Sequence, residues 1–161
     1  MSEYDSSLMV GGLLDSGSIS PRVSATDKRQ VLSVVAEIAA RSWGLKAPKV
    51  FDALIDRETT GPTGVGHGVA IPHAQIEGLD RLRGIFLRLN PPLDYGAVDD
   101  EPVDLVFALL TPVGSGSEQL RALSRIARAL RVGEMRTQLR QASGADAIRA
   151  LFSRDTRSSA A

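Results

Sequence analysis

The chain has 161 residues, 43% hydrophobic, 24% charged and only 4% aromatic, which describes one globular domain with an aliphatic core rather than a disordered or fibrous chain. Its 19 basic and 19 acidic side chains cancel, so no global field draws in nucleic acid and a charged partner must read a local patch. Cysteine is absent, which removes disulfides, thiolate nucleophiles and cysteine-ligated metals together and fits a reducing compartment.

In chain order, the N-terminus carries Glu3 and Asp5 without a cationic region, and the apolar residues 8–14 are too few and too glycine-rich for a signal peptide or a membrane span. The expectation is a cytoplasmic protein with no membrane insertion. Its folded domain spans residues 8–152, with flexible ends at 1–7 and 153–161. Residues 26–43 place Val31, Val34, Val35, Ile38 and Ala39 at helical spacing, with Ser24 or Thr26 as N-cap and Gly44 as the stop. A second helix starts near Pro48, buries Val50, Phe51, Leu54 and Ile55, and delivers Arg57 to the edge of a glycine-rich segment.

That segment, residues 60–75, reads TGPTGVGHGVAIPHAQ. Glycines at 61, 64, 66 and 68 weaken any regular element and suit a loop that exposes one imidazole, His73, behind Pro72. Beyond it, residues 84–89 and 103–110 read as strands, the second apolar enough to be buried on both faces. Pro91, Pro92, Asp94, Gly96, Asp99 and Asp100 make a turn-rich connection between them. A helix over 117–131 turns Leu120, Leu123, Ile126, Ala127 and Leu130 inward, and shorter helices follow at 134–141 and 145–152. Helices interleaved with strands predict a single α/β domain, a mixed and mostly parallel central sheet with helices on both faces.

The glycine spacing fits neither G-x-x-x-x-G-K-[ST] nor G-x-G-x-x-G, and no G-x-S-x-G elbow is present. His67 and His73 lack a spacing that would complete a zinc site, so neither a metal nor another cofactor is expected. A neutral imidazole can accept a phosphoryl group, and transfer then needs positioning and charge stabilisation. Arg57 offers a planar fork for such a group, and Thr59, Thr60 and Thr63 offer hydroxyl donors. On residues alone, a surface-loop or satisfied core histidine stays open for His73, and a solvated helix end for Arg57.

The order of features decides by resemblance. RETTGPTGVGHGVAIPHAQIEGLDRLRGIFLRL, then PVDLVFALLTP, then SEQLRALSRIARALR resemble the fructose/mannitol-type enzyme IIA domains of the bacterial phosphoenolpyruvate phosphotransferase system, and most of all their nitrogen-regulatory members. The resemblance implies an α/β fold and makes His73 the phosphorylated residue, through Nε2, with Arg57 holding the phosphoryl group. It places Thr63, Gly64, Gly66, His67 and Gly68 in the phosphoryl loop. It implies a phosphohistidine intermediate and an HPr- or NPr-type carrier as donor. Two departures stand out. His67 replaces the asparagine usual in nitrogen-regulatory members, and Gln119 stands where many members have a second active-site histidine. An amide donates but does not titrate near neutral pH. Whether His67 takes over the missing imidazole's role is left open by the sequence.

Two outputs compete, regulation of target proteins through phosphorylation state, or transfer through an enzyme IIB to a sugar. No IIB, IIC or HPr segment is read in the chain, and the loop resembles nitrogen-regulatory members more closely, so regulation is preferred. Arg121, Arg125 and Arg128 form a basic stripe where a carrier or an acidic target could dock; an ordinary solvated helix face is the alternative, and DNA contact is not expected. A histidine-dependent hydrolase would need a paired carboxylate and an oxyanion site that the sequence does not spell out.

Overall fold

The computed structural model describes residues 10–154. The expected domain start at Leu8 and the end segments 1–7 and 155–161 lie outside the described residues. The elements are β1 (Ile19–Val23), α1 (Lys28–Trp43), α2 (Ala47–Thr60), β2 (Gly64–Gly66), β3 (Val69–Ala70), β4 (His73–Ile76), β5 (Arg83–Leu93), β6 (Val103–Pro112), α3 (Gly116–Arg131), α4 (Gly133–Gln141) and α5 (Ala145–Phe152), preceded by 3-10 turns at Val10–Leu13 and Ser16–Ser18.

One six-stranded sheet runs β1-β5-β6-β3-β2, with β4 also paired to β6. The β1–β5, β3–β6 and β4–β6 pairings are parallel, and β5–β6 and β2–β3 are antiparallel. The sheet is mixed, with its longest pairing antiparallel at the centre. Alternation along β6 separates two cores. Val106, Ala108 and Leu110 pack with Val31, Val35 and Ala39 of α1 and Val50 and Leu54 of α2. Leu105, Phe107 and Leu109 pack with Ile126 and Leu130 of α3, Leu139 of α4, and Ile148 and Phe152 of α5. Phe86, Phe107 and Phe152 meet edge to face, with ring centroids 5.2–6.4 Å apart.

Several sequence expectations are corrected. Asp27, not Ser24 or Thr26, caps α1, its carboxylate accepting from Gln30 N–H at 2.9 Å. Thr26 contributes its N–H to the Gln30 side chain instead. Gly44 ends the helix in the left-handed conformation as expected. The strand over 84–89 continues through Pro91 and Pro92 to Leu93, because β6 supplies pairing on one side only at that end, where a missing N–H costs little. In α3 the inward residues are Ala122, Ile126, Ala129 and Leu130, flanked by the partly buried Leu123 and Ala127, whereas Leu120 is 67% exposed.

The largest correction concerns residues 60–75, which contain β2, β3 and the start of β4. His67 and Gly68 link β2 to β3 with φ of 58° and 81°, the two positive values of a type I′ hairpin turn. The close approach that Gly64 permits is made by the chain itself, since a Cβ there would come within 2.8 Å of Ala97.

Candidate phosphoryl-transfer site

His73 is the first residue of β4, paired in register with Leu109 of β6. Leu109 faces the α3–α5 layer, while Ala74 and Ile76 face α1 and α2, so the imidazole lies on the α3 side of the sheet. It is half-buried and held at both nitrogens. Nδ1 donates to the Ile71 carbonyl at 2.9 Å, and Nε2 accepts from Arg57 Nε–H at 3.2 Å. This pattern selects the Nδ1–H tautomer, which leaves the lone pair on Nε2. Burial lowers the pKa below the ordinary 6.5; the Ile71 carbonyl opposes the shift, Arg57 adds to it and Glu58 opposes it. The imidazole is therefore neutral at neutral pH and positioned in a strand, where the sequence had suggested an exposed loop.

Arg57 reaches this edge from the last turn of α2, and its Nη1 also donates to Gly61 O at 2.9 Å. Gln119 arrives from the opposite layer. Its Oε1 accepts from Thr111 Oγ1 at 2.8 Å, and Thr111 is in register with Gln75, two residues beyond His73 on the same side of β4. The Gln119 amide N–H2 is thus the end able to donate at the site. Arg57 and His73 are brought into contact from α2 and β4, and Gln119 of α3 is tied to the same end of β6 through Thr111.

The remaining predicted residues are elsewhere or otherwise engaged. Thr63 is 3% exposed and donates its hydroxyl to Glu58 at 2.6 Å and its N–H to the same carboxylate at 2.8 Å. Thr59 and Thr60 donate to the Asp56 carbonyl. None of the three hydroxyls is therefore free to donate to a phosphoryl group. His67 is at the far end of the hairpin. Val69 pairs with Leu105 and His73 with Leu109, four positions along β6, or about 13 Å, and His67 lies beyond Val69. Its N–H donates to Asp99 and its carbonyl accepts from Arg140, which also pairs with Asp104. The two backbone N–H bonds that Asp99 accepts, from His67 and Glu101, lower that exposed carboxyl's pKa. The structure places His67 and His73 at opposite ends of the β3–β4 run along β6.

Arg121, Arg125 and Arg128 are all exposed. The first two line a groove of about 390 Å³ together with Leu13, Arg81 and Leu82, the last two from the segment leading into β5. Beside Gln119, Leu120 and Val113 are 67% and 64% exposed.

The residue the sequence reading missed is Glu58. It is buried behind Arg57 and accepts from Thr63 and from Lys28 Nζ at 3.0 Å. Lys28 also lies over the Tyr95 ring, 4.8 Å from its centroid. Burial, and then the Glu58 charge, push the Tyr95 hydroxyl's pKa well up, so it stays protonated.

Comparison with known proteins then decides the family. Residues 12–155 match the model described as Phosphoenolpyruvate-dependent sugar phosphotransferase system, EIIA 2. The chain belongs to that family. Members of the EIIA 2 family are phosphotransfer components of the system. The chain is 44% identical to the nitrogen regulatory protein of Bradyrhizobium diazoefficiens over 81% of its length and 86% of that protein's. It is 38% identical to the Escherichia coli nitrogen regulatory protein, over 81% and 80% of the two lengths. The crystal structure of nitrogen regulatory protein IIA-Ntr from Neisseria meningitidis superposes with a TM-score of 0.84 at 32% identity, covering 89% of this chain and 98% of that one. IIA mannitol from E. coli shares the fold at a TM-score of 0.72 and 21% identity, over 86% and 98%. Among the described residues of this EIIA 2 chain, no helix is long and apolar enough to cross a membrane.

Proposed function

We propose that the protein accepts a phosphoryl group on His73 Nε2 from an HPr- or NPr-type phosphohistidine carrier, and that its phosphorylation state regulates other proteins. The observation that carries this reading is the two-sided fixing of the imidazole, with Nδ1–H on the Ile71 carbonyl and Nε2 facing Arg57. In the reaction the Nε2 lone pair attacks phosphorus as the carrier's own N–P bond breaks. Positive charge grows on the ring, and the Ile71 carbonyl stabilises it through Nδ1–H. Arg57 turns its fork from Nε2 to the phosphoryl oxygens, and Gln119 donates an amide N–H to them. The exposed Leu120 and Val113 supply apolar surface for docking next to the reacting atoms.

The product carries nearly two added negative charges beside Arg57, enough to change which surfaces can dock there. The similarity to nitrogen regulatory proteins supports the regulatory output. The test is incubation with phosphoenolpyruvate, enzyme I and a carrier. Intact-mass and fragment spectra should show one acid-labile phosphoryl group on His73, absent from His73→Ala. Full labelling of that variant would overturn the acceptor assignment. Rapid onward transfer to an enzyme IIB and a sugar would replace regulation with transport as the output.

A further inference from the structure

We propose that Glu58 is a positioning residue that fixes the tautomer of His73 through a closed ring of hydrogen bonds running from the end of α2 to β4 and back. One side chain anchors the ring. The Glu58 carboxylate, 5% exposed, takes both the backbone N–H (2.8 Å) and the hydroxyl (2.6 Å) of Thr63. Thr63 O accepts Ile71 N–H at 2.9 Å, and Ile71 O accepts His73 Nδ1–H at 2.9 Å. From the other nitrogen, Arg57 donates to Nε2 and returns the path to the residue adjacent to Glu58.

The physical argument is one of acceptors. An imidazole keeps one tautomer only when one nitrogen faces an acceptor and the other a donor. Here the acceptor is a carbonyl in a short segment whose strands, β2 and β3, are three and two residues long. Such strands do not hold their own register firmly. Glu58 does it for them, gripping Thr63 with two charge-assisted bonds, which are roughly twice as strong as neutral ones. Lys28 Nζ, 3.0 Å from the carboxylate, compensates its buried charge. Glu58 touches no reacting atom; it acts through Thr63 and Ile71.

The transfer part of the test rests on the proposed phosphoryl acceptance, while the tautomer part does not. In 15N-labelled unphosphorylated protein at alkaline pH, two-bond 15N–1H correlations should show His73 as a single Nδ1–H tautomer. Glu58→Ala should move both ring nitrogens toward averaged shifts. Glu58→Gln, which keeps one accepting oxygen for Thr63, should stay close to the native spectrum. In transfer from phosphorylated carrier, Glu58→Ala should lower the maximal rate about 100-fold, as small misplacements of a reacting group do, with the half-saturating carrier concentration little changed. If Glu58→Ala does not fold, Thr63→Val, which keeps the backbone bond and loses the hydroxyl bond, should shift the tautomer in the same direction by less. A native tautomer in every folded variant overturns the inference, even where His73 is phosphorylated normally. Absent phosphorylation with a shifting tautomer would instead remove the proposed function and leave the ring of bonds standing.

Discussion

Arg57 Nε donates to His73 Nε2 across 3.2 Å, so in the proposed transfer this cation occupies, before reaction, the direction from which phosphorus would arrive. The same guanidinium holds Gly61 O through Nη1. Phosphorylation would remove the Nε2 lone pair, and Arg57 would have to exchange one partner for another.

From this follows the first prediction. Arg57→Ala should slow transfer to His73 by about 10²–10³, the loss typical of one preorganised charge-stabilising donor, with a far smaller change in melting temperature. Arg57→Lys should recover only part of the rate, because a point charge replaces a two-pronged donor. Stopped or quenched transfer assays with phosphorylated carrier decide it, and full activity of the lysine variant would show that a single charge is enough.

The second prediction is a pH dependence with a definite sign. His73 has its pKa lowered from 6.5, chiefly by burial. Between its folded pKa and 6.5 the unfolded chain binds more protons than the native one, so stability rises with pH through that window and is lost as pH falls through it. Denaturant unfolding of the natural protein and of His73→Gln at several pH values measures this. The difference between them should grow in favour of the variant below pH 6.5.

Third, Leu120 was assigned to the core by its helical spacing and is exposed instead. Leu120→Asp should leave thermal stability within about 0.5 kcal/mol. In transfer assays it should raise the half-saturating carrier concentration about tenfold, equivalent to 1.4 kcal/mol of docking energy. Ile126→Ala, further along the same helix and fully buried, should cost about 2–5 kcal/mol of stability. Equal effects of the two substitutions on melting would place Leu120 back in the core.

These cases show what the sequence could and could not convey. The long helices and the β5–β6 centre announce themselves because ten or more residues repeat one period. Strand β1 and the pieces β2 to β4 are two to five residues long, and their pairing comes from β5 and β6 rather than from local pattern. His73 and Arg57 were legible as residue types in a motif, but their contact depends on a strand edge meeting a helix end. Glu58 left a signal that went unused: Val50, Leu54 and Glu58 follow the i, i+4, i+8 stripe, and all three are buried. A carboxylate continuing an apolar stripe must have partners.

The last prediction separates the two departures from the family pattern, Gln119 and His67. Gln119 is held by Thr111, whose register partner Gln75 is two residues from His73, while His67 is at the hairpin tip more than about 13 Å along the sheet. An amide at 119 presents the same donor across neutral pH, so transfer to His73 should follow one ionisation once the carrier's own titration is subtracted. Gln119→His should add a second. His67→Asn should leave the rate profile as it is, because the residue's role is to adopt a positive φ in the turn. Asn-Gly is the pair that such a turn prefers, so this substitution should also raise stability, by up to about 1 kcal/mol. The measurements are transfer rate against pH and denaturant midpoints for the three proteins. A second ionisation in the natural protein that vanishes in His67→Asn would show that the hairpin tip reaches the reacting imidazole during transfer, against the arrangement of β3 and β4 on β6.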